Sequence, residues 1–130
     1  MNIYFLIAGV LCFLLGIIHS ILGEYMIFND KRIKGTLVPS KKSASLKVRH
    51  LRILWATWHL ASIFGWCFGF FLVRIAVDYH MVNSEFMKFI ISSTAYTMFI
   101  SSIIVLIGTK GKHPGWIVFL FIGILLMFGS

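Results

Sequence analysis

The sequence predicts an all-α integral membrane protein, an up-and-down bundle of four helices with both termini on the non-cytoplasmic side. Of its 130 residues, 59% are hydrophobic and 12% charged, and the mean hydropathy is +0.93, well outside the range of soluble domains. The apolar residues fall in four blocks, at about 3–22, 51–73, 86–108 and 114–130. The first three are long enough to cross ~30 Å of hydrocarbon, and the last is at the lower limit. Nine of the twelve Lys and Arg lie in the two segments joining the first block to the second and the third to the fourth, and Arg52 sits at the adjoining edge of the second block, ten cations that the positive-inside rule assigns to the cytoplasm. Four spans with short connections occupy the whole length, so residues 1–130 are expected to form a single transmembrane domain.

The first span has no Lys or Arg before it and no small-x-small cleavage site after it, so it is expected to be retained rather than removed as a signal peptide. Gly9, Cys12, Gly16, His19 and Gly23 recur at spacings of three and four and share a sector of about 80°. Small residues in such a stripe let two membrane helices approach closely. Ser20 and Glu24, one helical step round and at i and i+4, place a carboxylate at the membrane boundary beside the histidine. Cys12 and Cys67 sit inside apolar spans without a CxxC or zinc-ligand spacing and are expected to be small packing residues.

In the following segment, 23–50, and at the start of the second span, Lys31, Arg32, Lys34, Lys41, Lys42, Lys47, Arg49 and Arg52 stand against only Glu24 and Asp30. This is the expected cytoplasmic loop, and each cation near an anionic headgroup surface adds ~1 kcal/mol of attraction. In a soluble protein the net charge of +8 would suggest nucleic acid. Here the cations flank apolar spans, which excludes nucleic acid as the expected partner. Ser43 or Ser45 is placed to cap a helix leading into the second span.

Within the second span, Arg52, Trp55, His59, Ser62 and Trp66 fall in a sector of roughly 80°, a polar stripe that should face other helices rather than lipid. The outer loop carries Arg74, Asp78, Glu85 and Lys88, whose charges cancel, and Asn83 or Ser84 is placed to cap the third span. There Ser93, Thr94, Thr97 and Ser101 lie within roughly 100° of arc. With Ser62, residues Thr97 and Ser101 form the expected polar intramembrane face, either bonding between helices or lining a polar pathway. The last connection, TKGKHPG, carries Lys110 and Lys112 back to the cytoplasmic side, with His113 at the cap position and Pro114 at the first helical position.

This topology brings His19, His59, His113 and Glu24 toward one membrane face, while His80 lies across the bilayer beside Asp78. Two or three imidazoles with a carboxylate suit a transition-metal ion, and His19 with His59 could flank a haem. Equally, a serine hydroxyl or backbone carbonyl satisfies a membrane histidine with no ligand at all. No serine or cysteine adjoins a base in a nucleophilic motif and no glycine-rich phosphate loop is present, so an enzyme would depend on a metal at this cluster.

HSILGE at 19–24, WH at 58–59 and HPGW at 113–116 resemble a recurring pattern in small, uncharacterised four-span bacterial membrane proteins. The resemblance spans most of the chain and implies the four-span topology and a bacterial inner-membrane location; it implies no activity or cofactor. The expected function is a non-catalytic accessory or binding subunit contacting anionic lipid, with another membrane protein or a second copy as partner. The alternative is a metal- or haem-binding or transport protein built on the histidine cluster.

Overall fold

Asn2 starts the first helix as its cap: its side-chain carbonyl accepts the backbone N–H groups of Tyr4 at 3.0 Å and Phe5 at 3.3 Å, two of the donors that a helix start leaves unpaired. The computed structural model describes residues 1–41, 47–78 and 84–130. Among these the elements are α1 (Ile3–Gly23), α2 (Val48–Val77), α3 (Glu85–Thr109) and α4 (Gly115–Gly129), with no strand. Three helices are long and apolar enough to cross a membrane: α1 with its continuation to Lys31, α2 and α3. The apolar α4 has 15 residues, about 22 Å of helix.

The helices pack in the order α2, α1, α4, α3. The backbone N–H of Asn2 donates to the Ala76 carbonyl at the end of α2 (2.8 Å), and its side-chain amide donates to the Gly129 carbonyl at the end of α4 (3.0 Å). One residue therefore holds the start of α1 level with the ends of two antiparallel neighbours. Below it lies the core, with Phe5 and Ala8 of α1, Leu72 and Ile75 of α2, Ile91 and Ala95 of α3, and Ile122 and Leu126 of α4 all in one buried cluster.

The stripe of small residues on α1 is its contact face with α2. A Cβ built on Gly9 would come within 3.0 Å of the Gly69 carbonyl oxygen, and one on Gly69 within 3.0 Å of the Gly9 carbonyl oxygen. The two backbones touch because neither residue has a side chain. Large apolar residues point outward instead, Phe70 at 70% exposure and Ile107 at 70% among them, as in a helix assembly surrounded by hydrocarbon.

Two local features depart from the sequence expectations, and the start of α2 agrees with them. Helical winding does not stop at 22: Gly23 keeps right-handed helical angles, and the chain continues through a π turn (Glu24–Phe28) and a 3-10 turn (Asn29–Lys31), anchored by Phe28, which is fully buried. The α2 helix begins at Val48, ahead of the apolar span at about 51 as expected of a helix that leads into it, and Ser43 and Ser45 lie outside the described residues. The hydroxyl face of α3 divides. Thr97 is exposed and bonds its own helix at Ser93 O (2.9 Å), Ser101 is half-buried, and the hydroxyl that crosses between helices is Ser102, donating to Trp116 O at 2.7 Å. Of the four residues in the expected sector, Thr94 is buried and Ser93 and Thr97 are exposed, and the covered face continues through Ser102. Ser84 caps α3 by accepting the Met87 N–H at 3.2 Å, and Asn83 and His80 lie outside the described residues.

Candidate functional site

The π turn widens α1 where Glu24 sits, and π turns recur at functional positions because they re-aim side chains. Glu24 Oε1 accepts the Trp55 indole N–H at 2.6 Å and meets His59 Nε2 at 2.7 Å, while Oε2 is paired with the Arg32 guanidinium. Trp55 and His59 lie at i and i+4 on α2, so one helix face presents both, their rings in edge-on contact at 4.9 Å. Arg32 reaches back to Glu24 because the chain reverses after Lys31, whose carbonyl accepts the N–H groups of Ser40 at 3.0 Å and Lys41 at 2.9 Å. The Arg32 Nε also donates to Leu37 O at 2.7 Å. The side chains of Glu24, Arg32 and His59 are only 30%, 25% and 23% exposed, so a carboxylate at the helix end is neutralised and bonded on both oxygens.

His59 Nδ1 lies 2.6 Å from Ser20 Oγ. The neutral tautomer that satisfies all these groups has its proton on Nε2, donated to Glu24, and a lone pair on Nδ1 that accepts the Ser20 O–H. Ser20, His59 and Glu24 therefore form a continuous hydroxyl–imidazole–carboxylate relay between α1 and α2.

A second layer supports the relay. Trp58 donates its indole N–H to His19 O at 2.9 Å, and the His19 ring stacks on the indole at 4.2 Å with planes 6° apart. The fully buried Phe28 meets the same indole edge-on at 6.1 Å. Gly23 makes room: a Cβ there would lie 2.0 Å from Trp58 Nε1. His113 serves the start of α4, its Nδ1 accepting the Gly115 N–H at 3.0 Å.

Of the four residues expected to gather, His59 and Glu24 touch, His19 flanks them through Trp58, and His113 caps another helix. Among the described residues no three His, Cys, Asp or Glu side chains are grouped to hold a metal ion, and the facing atoms of His59 and Glu24 are bonded to each other. Ser62 is 2% exposed on α2, its hydroxyl 3.5 Å from Trp58 O. Of the basic residues expected at headgroups, Lys34, Lys41, Lys47, Arg49 and Arg52 are exposed, and Lys31 is half-buried. Arg52 donates to Ser40 Oγ at 3.0 Å, Arg32 is drawn into the site, and Lys42 lies outside the described residues.

Beside the relay, Ser20, Ile21, Glu24, Tyr25, Asn29 and Arg32 line an open groove of about 380 Å³. The parts played by Ser20, Trp55 and Arg32 were missed from the sequence. The available signal was a pair of i, i+4 couples, Ser20 with Glu24 and Trp55 with His59, on the facing stripes of consecutive helices.

These features define a class: an all-helical protein, with three helices of membrane-spanning length, whose main polar site closes between α1 and α2 at the end of α1. Searches against family models, curated proteins and solved structures found no match to this chain.

Proposed function

We propose that this chain is a small four-span binding subunit of the bacterial inner membrane, holding a polar-headed, membrane-dissolved ligand in the groove at the end of α1. The observation that carries this is the combination in one groove of apolar wall, Ile21 and Tyr25, with a hydrogen-bonded charged wall, Glu24 and Arg32. Binding sites are typically apolar concavities with a few fixed polar groups, and an amphiphile has both parts in that order. The antiparallel neighbours are consistent with an up-and-down bundle, and the ten-to-two partition of basic residues supports a cytoplasmic segment 23–50 with both termini opposite. The exposed Lys34, Lys41, Lys47 and Arg49 then lie against anionic headgroups, and a membrane-protein partner or a second copy packs on the outward apolar faces.

Native mass spectrometry of the detergent-purified chain, reconstituted with phosphatidylglycerol, tests this. One amphiphile per chain should survive removal of the detergent, and Ile21→Trp, which puts bulk into the groove and keeps Glu24 in the sequence, should abolish retention. Equal retention in wild type and Ile21→Trp would refute the groove as the site.

A further inference from the structure

We infer that Ser20 is a nucleophile, activated by His59 as general base, and that the groove takes a carboxylic ester of an acyl chain. The inference rests on the binding reading above and adds chemistry to the same site. Its basis is geometric. The hydroxyls of Thr57, Thr94, Thr97 and Thr109 all donate to carbonyls of their own helices three or four residues back, the usual resting place for a hydroxyl in a membrane helix. Ser20 is aimed at an imidazole nitrogen on another helix, at 2.6 Å. The opposite nitrogen of that ring is held by a carboxylate at 2.7 Å, and that carboxylate is held by Arg32 and Trp55.

A nucleophile, a base within hydrogen-bond reach and a third group orienting the base are the requirements for an activated serine. They are met by geometry and not by sequence order. The ring is used in the opposite sense from the common triad, with the hydroxyl on Nδ1 and the carboxylate on Nε2, which leaves the proton path unchanged. Glu24 and Trp55 are positioning residues, because they act through His59, whereas Arg32 both holds Glu24 and faces the groove. Ser20 and Glu24 both line the groove, together with Asn29 and Arg32, whose side-chain N–H groups are the donors available to a developing oxyanion.

The step balances without a cofactor. Ser20 Oγ bonds to the ester carbonyl carbon as its proton passes to His59 Nδ1, and the carbonyl electron pair moves to oxygen. Collapse expels the alcohol, which takes the proton from His59 and leaves an acyl-serine. Water, deprotonated by His59, then releases the carboxylic acid and restores Ser20. The sum is ester plus water giving acid plus alcohol, with nothing oxidised or reduced.

The full-length protein in detergent is treated with an alkyl fluorophosphonate, and the adduct is mapped by peptide mass. We expect a single adduct, on Ser20, that Ser20→Ala abolishes, and a labelling rate at least ~100-fold lower in His59→Gln, the usual contribution of a general base. Absence of an adduct on wild-type Ser20, or labelling no faster than at Ser40 or Ser130, would overturn the inference with no variant involved. So would undiminished labelling in a His59→Gln protein of unchanged helicity. Turnover of p-nitrophenyl dodecanoate in phosphatidylglycerol vesicles, faster than that of p-nitrophenyl acetate, is the expected result; turnover of the acetate alone, or of neither ester, overturns the inference. Phosphatidylglycerol retained in native spectra without an adduct would remove the chemistry and leave the binding reading standing, whereas loss of retention in wild type would remove the binding reading itself.

Discussion

Replacing Asn2 with alanine tests whether the short α4 helix reaches the level at which α1 starts. The side chain makes three bonds: it accepts from Tyr4 N and Phe5 N as a helix cap and donates to Gly129 O. Loss of an N-cap costs about 1 kcal/mol, and loss of one partly buried amide–carbonyl bond costs a further ~1 kcal/mol. The bond from Asn2 N to Ala76 O is a backbone bond and survives. The expected destabilisation of Asn2→Ala is therefore about 2 kcal/mol, divided nearly equally between α1 and α4. Asn2→Ser separates the two parts, because its hydroxyl oxygen keeps the cap while the amide donor to Gly129 is removed; it should cost only ~1 kcal/mol or less. Equilibrium unfolding in mixed micelles gives both values, and amide exchange over 125–129 reports the release of the α4 end. The reasoning fails if Asn2→Ala is neutral, if Asn2→Ser is as damaging as alanine, or if exchange over 125–129 does not change in either variant. Each of those results would mean that the 15 residues of α4 are not held at the same level as the start of α1.

Gly69→Ala should lower stability by ~1–3 kcal/mol through overpacking, since its Cβ would lie 2.9 Å from Phe13 Cδ2 and 3.0 Å from the Gly9 carbonyl; Gly108→Ala, whose Cβ meets nothing within 4 Å, should be neutral or stabilising by up to ~1 kcal/mol. Parallel thermal melts compare them, and equal effects would argue against the α1–α2 backbone contact. Ser102→Ala should cost ~0.6 kcal/mol, the usual size of an interhelical bond in a membrane, and Thr97→Ala close to nothing, because Thr97 bonds its own helix; unfolding in mixed micelles distinguishes this order from its inverse. A reporter fused after Ser130 should be active only on the non-cytoplasmic side, and cytoplasmic activity would show that α4 does not cross.

Composition alone made the chain helical and membrane-like, because four apolar blocks separated by basic segments leave few alternatives once backbone groups must be satisfied inside hydrocarbon. The face of α1 that meets α2 was equally legible, since Gly9, Cys12, Gly16 and Gly23 fall on one side of a helix whatever it packs against, and small residues mark close approach. The helix neighbours were not legible. Periodicity gives each helix a face but does not say which partner covers it: the hydroxyl sector Ser93, Thr94, Thr97 and Ser101 has only Thr94 buried, and the bond to α4 runs through Ser102. The site was half legible: His19, His59 and Glu24 stood out as ionisable groups near one membrane face. Ser20 and His59 are 39 positions apart, and only the axial register of α1 against α2, set by Gly9 and Gly69, brings hydroxyl and imidazole together. Arg32 depended on two tertiary events, the π turn that carries α1 past Gly23 and the reversal at Lys31. Sequence read locally treats a lysine- and arginine-rich stretch as one uniform surface. The structure takes one cation from that stretch and pairs it with Glu24, because a partly buried carboxylate needs a counter-charge and Arg32 lies where the returning chain can supply it.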